Sequence, residues 1–345
     1  MLSSIQTAQY QDVRRGAALV DRHLRGRLLV RGRDRQTFLH ALLTNDILAL
    51  GPGSGCYAAL LTPQGRMITD MWVFELGEAT LLDVPGAVKD SLMGRLDGLI
   101  FGEDVQVGDA SGALGCVGVH GPTAFAVVER ALDAALGSAP AALVRGLASG
   151  AVFGSQRIDL DNDVGIVARL DQWGAPGLLI YAPPNRLPGI AASIAAAGAV
   201  VPDAEVVGTL RIESGTPLFL VDMTDDTIPL EAGIEAQAIS STKGCYPGQE
   251  VIVRIRDRGH GRIVRKLVGL TIDGDVEPTP GDAIQVEEKA VGHVTSTAFS
   301  PALARPIALG YVHRDHMAAG SAVSIARGDT NLAATVTALP FVAGS

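Results

Sequence analysis

Lys243-Gly244-Cys245-Tyr246-Pro247-Gly248-Gln249-Glu250 gathers four chemically able side chains into eight residues and contains no Leu, Val or Ile. A cysteine two residues from a lysine could do chemistry, because the thiolate is the nucleophile and soft metal ligand, and a nearby cation favours it. An unperturbed thiol titrates near pKa ~8.5, so roughly a few per cent is thiolate at pH 7. Gly244 and Gly248 can take positive φ, and Pro247 fixes its own φ and biases Tyr246 towards extended backbone. The run reads as a shaped loop offering Lys243 and Cys245 as nucleophile and helper, redox-sensitive thiol or metal ligand. Gln249 and Glu250 either meet a ligand or cap the loop's own N–H groups. Val251 to Arg256 follows as a strand-like anchor.

Arg254, Arg256 and Arg258 alternate, so a strand would point all three to one face. With a turn at Gly259-His260-Gly261 and a return arm bearing Arg262, Arg265 and Lys266, an anion-binding hairpin is expected beside the thiol. Such a hairpin could make a weak RNA contact over Arg254–Lys266. The net charge of −9 argues against generic nucleic-acid binding, although eight arginines between Arg14 and Arg35 and six basic residues in the second window are half of the 28 Lys and Arg. Cys56, Cys116 and Cys245 form no CxxC pair, and a single loop thiol cannot hold a cluster that takes about four thiolates. No stably bound metal is therefore predicted. The first ten residues lack a basic start and an apolar stretch, and Gly189 to Val201 is too short for a bilayer. A cytoplasmic setting with no membrane partner is expected.

Positioning the loop requires a sizeable scaffold, and 345 residues predict two or three domains. Gly26 to Arg33 reads as a strand, Asp34 as the N-cap of a helix from Arg35 to Leu43, and Thr44-Asn45-Asp46 as its end. Cys56 to Leu61 and Met67 to Phe74 read as paired strands turning at Thr62-Pro63-Gln64-Gly65. Pro122 to Leu136, Asn185 to Ala197 and Asp203 to Glu213 read as helices, with Arg211 and Glu213 as an internal ion pair. Beyond Lys266 helix signals give way to six short strands between turns, which suggests a small β-barrel. The expected division is a mixed α+β region over 1–261, itself of two lobes, and a barrel over 262–345.

Five blocks in order resemble the folate-binding family that contains the glycine cleavage aminomethyltransferase (T-protein) and its YgfZ branch. They are Gly32 to Asp46; Tyr57 to Phe74 with Pro63, Gly65, Arg66 and Asp70; Leu210 to Pro217; Pro229 to Ala232; and Thr295 to Val312 with Phe299-Ser300-Pro301. The octapeptide resembles the YgfZ signature. The resemblance implies an α+β, three-domain aminomethyltransferase-like fold around a central cavity that holds tetrahydrofolate, with a C-terminal β-barrel. It assigns Cys245 and Lys243 to the chemistry and Asp70, Asn45, Tyr57, Gln249, Glu250 and Arg254 to the folate. For the branch it implies support of iron–sulfur cluster assembly or repair, with iron–sulfur proteins or assembly factors as partners and an indirect effect on tRNA modification. A folate-dependent aminomethyltransferase or demethylase is the alternative. Two positions depart from the T-protein pattern. Gly174 to Leu179 lacks the acid expected to hold the pterin, a loss of about 1.5–3 kcal/mol, and Thr69-Asp70 stands where tandem aspartates are expected.

Overall fold

A computed structural model describes residues 2–160, 163–258 and 263–343. Helix α1 (Ser4–Arg15) leads into strand β1 (Ala18–Asp21). Strands β2 (Arg25–Arg31), β3 (Ser54–Leu61), β4 (Met67–Glu75), β5 (Ala79–Pro85) and β6 (Gln106–Asp109) form one sheet in the order β3-β4-β5-β2-β6. Strands β7 (Gly115–His120), β8 (Ser155–Leu160), β9 (Asp163–Arg169) and β10 (Gly177–Ala182) join β1 in a second sheet, β1-β7-β10-β9-β8. Alternation along these strands gives each sheet two apolar faces.

Outward faces are covered by helices. Phe38 and Leu39 of α2 (Arg35–Leu42) and Leu92 and Leu96 of α3 (Lys89–Asp97) pack on Leu28, Val30, Val73 and Leu82. Helices α4 (Ala124–Leu136), α5 (Ser138–Ala148) and α6 (Leu187–Ala196) cover Val117, Val119, Leu178 and Ile180 of the second sheet. Inward faces meet each other: Tyr57, Ala59, Trp72, Phe74 and Leu81 of the first sheet share a cluster with Cys116, Ile166, Leu179 and Tyr181 of the second. Whatever the fold offers a ligand between its sheets is lined by these inward residues.

After α7 (Ala204–Glu213) the chain makes two short helices, α8 (Pro229–Ala232) and α9 (Glu235–Ala238). Strands β11 (Arg265–Ile272), β12 (Ala283–Val286), β13 (Lys289–Ser300), β14 (Arg305–His313), β15 (Ala322–Arg327) and β16 (Thr330–Thr337) close the expected barrel, in the order β11-β14-β13-β12-β15-β16. Arg211 and Glu213 do not pair with each other. Arg211 meets buried Asp222 at 2.6 Å and Ser296 Oγ at 2.8 Å, while Glu213 accepts from Tyr10 (2.7 Å), Arg14 (3.3 Å) and Ser300 (2.5 Å). Residues two apart on a helix face different ways, so each reaches a separate interface and α7 is riveted to α1 and the barrel. None of the described helices is long and apolar enough to cross a membrane.

Two local expectations fail. Asp34 makes no side-chain cap on α2; its carboxylate accepts from Asp104 N–H instead. Val251 to Arg256 is not a strand: Gln249–Val253 is helical (α10) and Arg254–Arg258 continues as a π-helical turn. Positive φ at Gly248 (+82°) turns the chain into α10, and the β-branched run is too short to find an open sheet edge. The strand that would have aligned the three arginines is therefore absent, and its proposed turn falls outside the described residues.

Candidate functional site

The β3–β4 pair brings two inward side chains together at the centre. Tyr57 Oη donates to Asp70 Oδ2 at 2.6 Å, and both residues are at least nine-tenths buried. The other oxygen, Asp70 Oδ1, is buried without a hydrogen-bond partner among the described residues. Burial pushes the Asp70 carboxyl above its ordinary range, against the opposing pull of Arg25 and the Tyr57 hydrogen bond. Next to it Arg25 lies over the Trp72 ring at 3.8 Å and donates through Nε to Asp83 Oδ1 at 2.5 Å. Asp83 Oδ2 accepts from Tyr181 of the facing sheet at 2.8 Å. This polar bridge spans the two sheets and fixes their separation. A separate cleft of about 290 Å³, lined by Leu29, Arg31, Glu78, Leu114, Arg157 and Ile166 among others, does not include Tyr57, Asp70 or Arg25 in its lining.

The octapeptide closes one side of this centre. Tyr246 and Ile252 are buried in the same cluster as Tyr57 and Trp72. Gly248 rests on the β3–β4 turn: an added Cβ would lie 2.5 Å from the Thr62 carbonyl oxygen and 2.9 Å from Gly65 Cα. Gly248→Ala should thus cost about 2–4 kcal/mol by combining positive-φ strain with a backbone clash, read as a drop in thermal midpoint.

Lys243 and Cys245 do not form a couple. Lys243 is buried, and its ammonium donates to the carbonyl oxygens of His40 and Leu43 at the end of α2, with the Tyr246 ring 5.1 Å from Nζ. Those carbonyls have no helical partner, and a cation there also meets the negative end of the helix dipole. Burial nevertheless pushes the Lys243 pKa down to about 8. Cys245 is free and exposed on the loop so anchored. Cys56 is held on β3 with its thiol pushed up to about 12 by burial, and Cys116 is buried with its thiol pushed higher still. Both are protonated packing residues.

Of the remaining expected folate contacts, Asn45 spends its amide on the Tyr57 carbonyl (2.8 Å) and the Gln237 carbonyl (3.0 Å), bracing the loop rather than facing the centre. Gln249 and Glu250 start α10, and Arg254 is exposed at the π-turn, away from the Asp70 pair. At the segment expected to carry a pterin acid, β10 turns Leu179 and Tyr181 inward. Sequence reasoning passed over Arg25, Asp83, Trp72 and Tyr181; their inward alternation was the only available signal. No group of three or more potential metal-ligating side chains occurs among the described residues. A buried carboxylate oxygen among aromatic rings, with no partner among the described residues, can accept an N–H from a polar ring such as that of a folate.

Comparison with known proteins bears on the family. The model of the GCVT N-terminal domain matches residues 2–242, and that of the glycine cleavage T-protein C-terminal barrel domain matches residues 265–343. The chain is 30% identical over 305 residues to a protein named aminomethyltransferase from Rubrobacter xylanophilus, covering 88% of this chain and 78% of that one. It is 28% identical over 339 residues to the Bacillus subtilis aminomethyltransferase, covering 96% and 90%. The crystal structure of the glycine cleavage system aminomethyltransferase T from Bartonella henselae superposes with a TM-score of 0.85 at 22% identity, over 98% of this chain and 89% of that one, and speaks for the fold. With both domains matched and the sheets, helices and closed barrel in place, this chain belongs to the glycine cleavage T-protein family.

Proposed function

We propose that this chain binds tetrahydrofolate against Asp70 and handles a one-carbon unit carried on it, in the manner of the aminomethyltransferases it resembles. The unpartnered Asp70 Oδ1 carries this reading, because a buried acceptor without a donor costs about 1–3 kcal/mol unless a ligand supplies one. Tetrahydrofolate, when bound, supplies an amine that accepts the one-carbon unit. Tyr57 occupies Oδ2 and so orients the carboxyl, leaving Oδ1 to accept a ligand N–H or to hold a proton for it. The raised pKa serves the second task, since a carboxyl that keeps its proton nearer neutrality can lend it. Trp72, two residues along β4 from Asp70, is buried in the same cluster as Tyr57. Calorimetry with tetrahydrofolate tests the binding, and turnover of a methylamine donor with folate tests the transfer. No heat up to millimolar ligand would sink both.

The octapeptide favours a second reading, a YgfZ-like accessory role in iron–sulfur cluster assembly or repair with an indirect effect on tRNA modification. Lys243 fastens the loop while Cys245 stays exposed, which suits a thiol offered to a partner rather than one enclosed with substrate. Under this reading the Cys245→Ala chain fails to restore iron–sulfur enzyme activities in a deletion strain, yet binds folate unchanged. Restoration by Cys245→Ala would leave the transferase reading alone. The strand that an RNA-contacting hairpin would need over Arg254–Arg258 is instead a π-helical turn, and Arg256 is engaged by Asp257 at 2.8 Å.

A further inference from the structure

The inward rows of the two sheets part at one end. On β2, Leu28 and Val30 face the outer helices, so Arg31 stands on the inward row beyond Leu29. On the second sheet, Arg157 of β8 lies directly across from Ile166 of β9, and partners across an antiparallel pair share a face. Ile166 belongs to the inter-sheet cluster, so Arg157 points inward as well. The separate cleft of about 290 Å³ lies between these rows, and each sheet supplies it with one arginine.

Its interior is apolar and uncovered. Leu29, Leu76 and Leu114 are only partly buried against the cluster, and Val164 in the same lining is 50% exposed. Apolar surface left open inside a concave site gains free energy when a ligand's apolar body covers it. The charges of the lining are equally uncommitted. Among the described residues neither the Arg31 nor the Arg157 guanidinium makes a hydrogen bond or ion pair, and Glu78, in the same lining, pairs with neither. Glu75, close to Glu78 in sequence, is taken by Arg35 at 2.5 Å. Asp159 shares the face of Arg157 but lies outside the lining. The cleft thus carries two cations against one anion.

We propose that this cleft binds a small monocarboxylate with an aliphatic body, its carboxylate held by Arg31 and Arg157 and its chain laid on Leu29, Leu114 and Ile166. The fork of a guanidinium matches the edge of a carboxylate, and a single negative charge balances the surplus that Glu78 leaves. The volume, about 290 Å³, stands at the lower end of ligand cavities (~300–1,000 Å³) and so suits a small acid. This site shares no lining residue with the Asp70 centre and does not rest on the folate reading.

Ligand-observed NMR titration of the full chain with hexanoate, hexanamide and acetate tests this. Hexanoate should bind about 10–100-fold more tightly than hexanamide, the worth of one charge-assisted pair. Acetate, which keeps the charge but lacks the body, should bind at least about 10-fold more weakly than hexanoate. Arg31→Gln combined with Arg157→Gln should bring hexanoate down to the level of hexanamide, and should melt with the parent because neither guanidinium has a partner to lose. Ala113→Trp, at an exposed position of the lining, should fill the cleft and block both ligands. Equal binding of hexanoate and hexanamide, a preference that survives the double variant, binding undiminished by Ala113→Trp, or no binding of millimolar hexanoate would overturn the site. Each of those results would leave the folate reading, which is tested at Asp70, intact.

Discussion

Asp70→Asn should lower folate-dependent turnover about 10²–10³-fold while leaving the protein at least as stable as the parent at pH 7. The loss follows because Asn keeps the shape but neither holds an exchangeable proton nor offers a charged acceptor at Oδ1. The stability follows from linkage. Burial raises the folded-state pKa of Asp70 above its unfolded value, near ~3.9, so the folded chain binds this proton more tightly. The stability this contributes is complete below the unfolded pKa and is lost as pH rises through the folded one. An ionised Asp70 is then a net cost at neutral pH, and the amide removes it. Paired thermal melts and turnover assays check both halves. A variant that loses activity and melts much earlier would show instead that Asp70 braces the β3–β4 pair.

Lys243→Met should destabilise the protein by about 2–4 kcal/mol, whereas Cys245→Ala should change stability by less than about 0.5 kcal/mol. Lys243 is buried with its ammonium on two helix-end carbonyls that no other described group caps, and it holds a segment some 200 residues away in sequence. Removing it strands both acceptors and frees the octapeptide from α2. Cys245 is free and exposed, so its side chain has little to lose. Urea denaturation of the two variants separates the roles. Limited proteolysis should also cut Lys243→Met within residues 240–250 well before the parent. Equal, small effects would show that Lys243 does not anchor the loop to α2.

These expectations differ in how far the sequence alone reached them. The inner strands were legible because alternation needs only local order: Tyr57, Ala59 and Leu61 face one way and Ala58 and Leu60 the other, as β3 shows. The barrel was legible because its strands are short, regularly spaced and punctuated by turns. The run after Glu250 was not, since its β-branched residues favour extended backbone only where a sheet edge exists to receive them. The resemblance alone assigns Asn45 to the folate, and its amide donates to the Tyr57 and Gln237 carbonyls, which lie far from it in sequence.

Sequence determined the family-like order of blocks, the exposed chemistry of Cys245 and the glycines that shape its loop, because each is fixed by residue type and near neighbours. Tertiary structure alone decided what each reactive group faces. It sent Lys243 to the end of α2 instead of to Cys245 and left one oxygen of Asp70 without a partner among the described residues. The physical reason is that charge pairing and burial are settled across the gap between two sheets, by residues 50 to 200 positions apart, and no local pattern records that distance.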